Sequence, residues 1–115
     1  MLIEKIDLYE YFHIAREGAE RGTLTCFRHT QVEELRLRRL RPAVLVIPGG
    51  AYAFVSQREA EPVALRYFAQ GFDCFVLDYD IAPHSYPEQL TEAAMAMLYL
   101  RRERDALDLR GRIAA

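Results

Sequence analysis

Few residues in this sequence stand where they could do chemistry. The clearest group is Pro48-Gly49-Gly50-Ala51-Tyr52, which follows a run of apolar residues. Two successive glycines after a strand let the backbone turn sharply and aim N–H groups at a ligand. Such donors stabilise an oxyanion as it develops in acyl transfer. The same pair also serves as a plain tight turn, and the dipeptide alone does not choose. Ser56 and Ser85 are the sole serines, and each opens an S-x-x-E pattern, with Glu59 and Glu88, that caps a helix. His84 precedes Ser85, but neighbours on one loop rarely reach the geometry of a nucleophile and its base. Asp78 and Asp80 flank Tyr79. An acid/base or metal pair is conceivable there, with loop capping and solvation as the plainer reading. His13 and His29 fall in expected strands and read as structural. Cys26 and Cys74 lie 48 residues apart without CxxC spacing or further ligands for zinc. Each sits in an apolar stretch, so both are expected to be buried free thiols. No metal and no cofactor is expected.

Composition sets the frame for these residues. The chain has 115 residues, 51% of them hydrophobic and 28% charged, with six Gly and five Pro. Those are globular values, which excludes a disordered, collagenous or disulfide-scaffold chain. Fifteen basic residues against seventeen acidic give a net charge of -2, so charge offers no case for a nucleic-acid partner. Glu4, Lys5 and Asp7 interrupt the N-terminal apolar residues, which excludes the unbroken core of a signal peptide. No window is apolar for long enough to span a bilayer. A cytoplasmic protein without membrane contact is the expectation.

The elements that must position the chemistry follow from periodicity. Residues 3–14 and 23–29, separated by a Gly-containing charged turn, read as an antiparallel pair of strands. Residues 30–42, with Leu35, Leu37 and Leu40 among arginines, read as an edge strand or a solvated link. Ala43-Val44-Leu45-Val46-Ile47 is apolar on both faces and too short for a helix, so it reads as a buried parallel strand. Residues 57–70 have helical spacing, with Ser56 and Glu59 as capping box, Pro62 in the first turn and Gly71 as the stop. Residues 73–79 form the next strand. A second helix follows Pro87 and runs to about Arg104, with Leu90, Ala93, Ala94, Met97 and Leu98 as its apolar residues. Ile113-Ala114-Ala115 opens a further strand. PGGAYAF lacks the G-x-G-x-x-G of a dinucleotide fold.

The stretch PGGAYAFVSQREAEPVALRYFAQGFDCFVLDYDIAP, followed by YPEQLTEAAMAMLYLRR, resembles the α/β-hydrolase superfamily in its acetyl-esterase and lipase-like branch. In that branch a strand ends in an HGG-type loop, a helix leads to a strand, and a Tyr-x-x-Ala-Pro turn precedes the next helix. Here the turn is Tyr79-Asp80-Ile81-Ala82-Pro83. The resemblance implies an α/β fold within a single domain, residues 1–115: antiparallel N-terminal strands, then βαβα(β) of an incomplete α/β-hydrolase sheet. It implies that the backbone N–H groups of Gly50 and Ala51 are the oxyanion donors. It further implies that Gly49 and Tyr52 bind a small-molecule ester substrate. Pro48 replaces the family's common His, and Ala51 replaces a third Gly.

The family's nucleophile is a Ser in a G-x-S-x-G elbow, followed by an acid and a His. No G-x-S-x-G occurs here, and the 115 residues end where the strand leading to the elbow begins. The resemblance therefore implies the N-terminal segment of a serine-dependent ester hydrolase, with its oxyanion loop but without its triad, inactive alone. The alternative is a non-catalytic binding or assembly module. In the family's strand order, residues 43–47 would form an uncharged sheet edge open to a second copy.

Overall fold

The apolar runs pair into one five-stranded sheet. The computed structural model describes residues 1–15, 21–30, 41–50, 53–81, 88–107 and 113–115. Strand β1 (Leu2–Asp7) runs antiparallel to β2 (Thr23–Arg28), which runs antiparallel to β4 (Asp73–Asp78). Strand β3 (Ala43–Val46) lies parallel to β4 and to β5 (Ile113–Ala114), giving the order β1-β2-β4-β3-β5. The mixed sheet, antiparallel at its start and parallel beyond, is the α/β architecture expected from the sequence.

Strand alternation sends side chains to two separate cores. Leu24, Cys26, Ala43, Leu45, Phe75 and Leu77 face one side, where they meet α1 (Leu8–Tyr11) and α3 (Glu88–Arg102). Phe27, Val46, Cys74 and Val76 face the other and meet Ala64 of α2 (Glu61–Ala69). The result is three layers with the sheet in the middle. Phe75 and Leu77 in the central strand are fully buried, each contributing about 1.5–3 kcal/mol from burial alone. Both thiols are free and buried, and desolvation pushes Cys26 up to about 12 and Cys74 to about 11.

Several expectations are corrected. Residues 3–14 are not strand throughout, because Asp7 ends β1 by accepting hydrogen bonds from the N–H groups of Tyr9 and Glu10 and so starts α1. His13 consequently lies beyond that helix with φ 56°, not in a strand. Ser56 makes no side-chain cap. A 3-10 turn, Gln57–Glu59, follows it, and α2 begins at Glu61 with Pro62 in its first turn, where the missing N–H costs nothing. Gly71, at φ +101°, ends α2 as expected. The apolar face of α3 is rotated from the expected one. Gln89, Glu92, Met95, Ala96, Tyr99 and Leu100 are buried, whereas Leu90 and Leu98 are exposed. Residues 31–40 and the proposed cap at Ser85, with His84 and Pro87, lie outside the described residues.

His29 sits just past β2 and has a structural role. Its N–H donates to Asp73 Oδ1 (2.8 Å), and its ring stacks on Phe68 at 3.7 Å with Nε2 3.0 Å from the Phe68 carbonyl oxygen. Burial and the nearby Arg41 charge lower its pKa. The contact ties the end of β2 to the start of β4 and to α2.

Candidate active site: the turn beyond the third strand

In a parallel sheet the crevice beyond the carboxyl ends of the strands is where ligands bind. Pro48-Gly49-Gly50 leaves β3 at that end. Pro48 is fully buried, and its carbonyl accepts the Tyr79 hydroxyl. The Gly49 N–H donates to Glu59 Oε2 (2.9 Å), and the Gly49 carbonyl accepts from Ser56 N–H (2.9 Å). The Gly50 carbonyl accepts from Ala53 N–H (3.0 Å) and Phe54 N–H (3.4 Å). These bonds close the loop back on itself within a few residues.

The loop demands glycine at position 50. Its φ is +145°, and a Cβ there would lie 1.8 Å from the Phe54 carbonyl oxygen. No side chain fits without moving backbone. Among the described residues no hydrogen bond takes up the Gly50 N–H. Gly49 differs, since Glu59 engages its N–H. Thus Glu59, read from sequence as half of a capping box, instead anchors the turn. Ala51 and Tyr52, the other two site residues expected, lie outside the described residues.

Behind the turn is a buried polar cluster that the sequence reading missed. Glu92 is fully buried in α3. Its Oε2 accepts the Tyr9 hydroxyl (2.6 Å) and its Oε1 accepts the Asp80 N–H (2.7 Å). The Asp80 carboxyl is also fully buried and accepts the Arg21 N–H at Oδ1 (2.7 Å). The solvated reading of Asp80 is therefore corrected, while Asp78 does face outward in a 3.2 Å ion pair with Arg21. Desolvation, then the neighbouring Asp80 carboxyl, raises the Glu92 pKa to about 7. A signal was present: Glu92 lies three residues after Gln89 and four before Ala96, on the stripe that packs on the sheet.

Among the described residues, no group of three or more His, Cys, Asp or Glu could hold a metal ion. No helix among them is long and apolar enough to cross a membrane.

No family model and no curated protein matches the sequence. Solved structures do. MGS-M1, an alpha/beta hydrolase enzyme from a Medee basin deep-sea metagenome library, is 38% identical, with a TM-score of 0.84 over 98% of this chain and 44% of that one. An acetyl ester-xyloside bifunctional hydrolase from Caldicellulosiruptor lactoaceticus is 29% identical, with a TM-score of 0.69 over 79% of this chain and 32% of that one. The carboxylesterase Cest-2923 from Lactobacillus plantarum WCFS1 shares the fold at 20% identity, with a TM-score of 0.73 over 95% of this chain and 38% of that one. The chain spans less than half the length of each of these proteins. With its strand order, its layers and these likenesses, the chain belongs with the α/β hydrolases, of whose fold it forms the N-terminal portion.

Proposed function

We propose that the chain is the N-terminal segment of a serine-dependent carboxylic-ester hydrolase and supplies its oxyanion-hole loop. The observation that carries this reading is the turn at Gly50. It lies beyond the carboxyl end of β3, is closed by its own backbone bonds, and leaves the Gly50 N–H untaken among the described residues. In the reaction a serine oxygen attacks the ester carbonyl carbon, and the former carbonyl oxygen takes the negative charge. The Gly50 N–H, with that of Ala51, would donate to this oxygen, and Gly49 and Tyr52 would border the ester. Prebuilt donors of this kind are worth about 3–4 kcal/mol each in the transition state. No G-x-S-x-G occurs in the 115 residues, so this reading takes the serine, acid and histidine from outside them. Without them the loop has no attack to stabilise.

Hydrolysis of p-nitrophenyl acetate is the test. The 115-residue chain should release p-nitrophenol no faster than a protein blank. A folded chimera in which it replaces the matched 44% of MGS-M1 should turn the ester over. Turnover by the chain alone that a serine-directed phosphonate abolishes would overturn the reading. So would a folded chimera with no activity beside an active parent.

A second reading, assembly through the sheet edge, rests on the register of β5. Among the described residues it pairs with Ala43 and Val44, and Leu45 and Val46 extend past it on that side. Unpaired backbone beside uncharged side chains invites strand addition by a second copy. Sedimentation of the purified chain should then show a dimer; a soluble monomer at all concentrations would sink this reading.

A further inference from the structure

We propose that Glu59 is a positioning residue for the Gly50 donor: its carboxylate and the Ser56 N–H, carried on one short turn, grip Gly49 by both of its polar groups and so keep the Gly50 N–H aimed into the crevice. The use of that aim in ester chemistry rests on the oxyanion reading above, whereas the grip itself does not.

Within a trans peptide unit the carbonyl and the N–H point in opposite directions. The Gly49 carbonyl and the Gly50 N–H belong to one such unit. The Ser56 N–H holds that carbonyl at 2.9 Å, so the Gly50 N–H points away from Ser56. The preceding unit joins the Pro48 carbonyl to the Gly49 N–H, and both of its ends are held. Tyr79 takes the carbonyl through its hydroxyl, and Glu59 Oε2 takes the N–H at 2.9 Å. On the far side, the Gly50 carbonyl accepts from the Ala53 and Phe54 N–H groups. Every other polar group of this stretch thus has a fixed partner, and the Gly50 N–H is the one left over among the described residues.

Two glycines in a row make such a mount necessary. Neither has a Cβ to bar rotation, so the unit between them can turn over at little steric cost. That would put a carbonyl oxygen where the donor should be, and its partial negative charge would repel an oxyanion. One hydrogen bond is only a hinge, because the unit still swings about the line of that bond. A second bond, on the preceding unit, removes the swing. Both come from one piece of chain. Glu59 closes the 3-10 turn that follows Ser56, and its own N–H donates to the Ser56 carbonyl at 3.2 Å. The Glu59 side chain is exposed, so its bond to Gly49 serves the turn and not the core. A charged acceptor makes that bond stronger than one between neutral groups.

Residual dipolar couplings of the uniformly 15N-labelled chain report the direction of each N–H and test the grip. In Glu59→Ala the Gly49 and Gly50 couplings should collapse toward zero, while those of β3 and β4 stay as in wild type and show the fold kept. Glu59→Gln retains an acceptor oxygen without the charge and should restore both couplings. In the chimera with MGS-M1, Glu59→Ala should lower kcat for p-nitrophenyl acetate about tenfold to a hundredfold with KM little changed, and Glu59→Gln should recover most of it. The proposal is overturned if the Gly50 coupling in Glu59→Ala equals that of wild type, if glutamine behaves as alanine does, or if kcat holds while the coupling collapses. A folded chimera that keeps Glu59 and has no activity overturns the oxyanion reading instead, and the couplings still decide the grip.

Discussion

Replacing Glu92 by leucine is expected to destabilise the chain by about 3 kcal/mol at pH 5, and by distinctly less at pH 8. At pH 5, below its raised pKa, Glu92 is protonated in the folded chain. Leucine removes the acceptor of the Tyr9 hydroxyl and the acceptor of the Asp80 N–H. Each buried orphan costs roughly 1–3 kcal/mol, partly offset by the apolar side chain that takes the space. The pH term has a definite sign. Folding raises the Glu92 pKa from 4.5 to about 7, so between those values the folded chain binds more protons than the unfolded one. Its contribution is fully present below about 4.5 and is lost as pH rises through about 7, a loss of roughly 2–3 kcal/mol. His29, whose pKa is lowered, acts in the opposite direction, but it is common to wild type and variant and cancels in the difference. Glutamine at 92 should match wild type at pH 5 and exceed it at pH 8. Urea unfolding at both values checks this. An equal Glu92→Leu penalty at pH 5 and pH 8 would count against the raised Glu92 pKa.

Gly50→Ala should have the second large effect: a loss of roughly 3 kcal/mol, with a fall in Tm of roughly 10 °C or more. Two costs act together. The left-handed backbone at φ +145° is hostile to any L side chain, and the new Cβ would meet the Phe54 carbonyl oxygen at 1.8 Å. That oxygen belongs to the loop's own backbone, so relief means rebuilding the loop. Two sister substitutions calibrate the effect. Gly49→Ala would meet the Glu59 carboxylate, at 2.9 Å, which is the far end of a flexible side chain and can swing away. Gly71→Ala keeps the unfavourable φ of +101° but has open space, its nearest contact being Arg41 Nη1 at 3.7 Å. About 1 kcal/mol is expected there. Calorimetry of the three variants should rank Gly50 well beyond the others, and a Gly50→Ala no worse than Gly71→Ala would contradict the described turn.

The sequence is legible where burial follows a simple period. Ala43–Val46 and Asp73–Asp78 are buried on both faces, which leaves continuous β-branched and apolar runs that no helix would show in so few residues. The Pro-Gly-Gly turn was visible because glycine declares its backbone freedom by its identity. Three features were hidden for reasons of geometry. Asp7 turns the chain from strand to helix with one side chain, and the aromatic residues after it, Tyr9 and Tyr11, suit either state. Glu59 matched a capping pattern three residues after Ser56, yet its carboxylate reaches ten residues back to Gly49. Glu92 is not legible in the sequence, because a carboxylate on a packed helix face makes sense only with Asp80 and Tyr9 standing opposite it. Those partners are 12 and 83 residues away in the chain, and no local pattern carries such information.

The strand order also dictates when the molecule can come together. Strand β4 lies between β2 and β3, so the N-terminal hairpin has no neighbour to dock on until a segment roughly 50 residues later has been made. At about 5–20 residues per second, a ribosome would hold the β1–β2 pair waiting for several seconds. A lone two-stranded hairpin is marginal in water. Contacts of such long separation are slow to close, and the exposed side chains of Leu24 and Cys26 would spend that interval without their cover. The central position of β4 thus makes synthesis, rather than the finished sheet, the moment at which this chain is most open to a wrong partner.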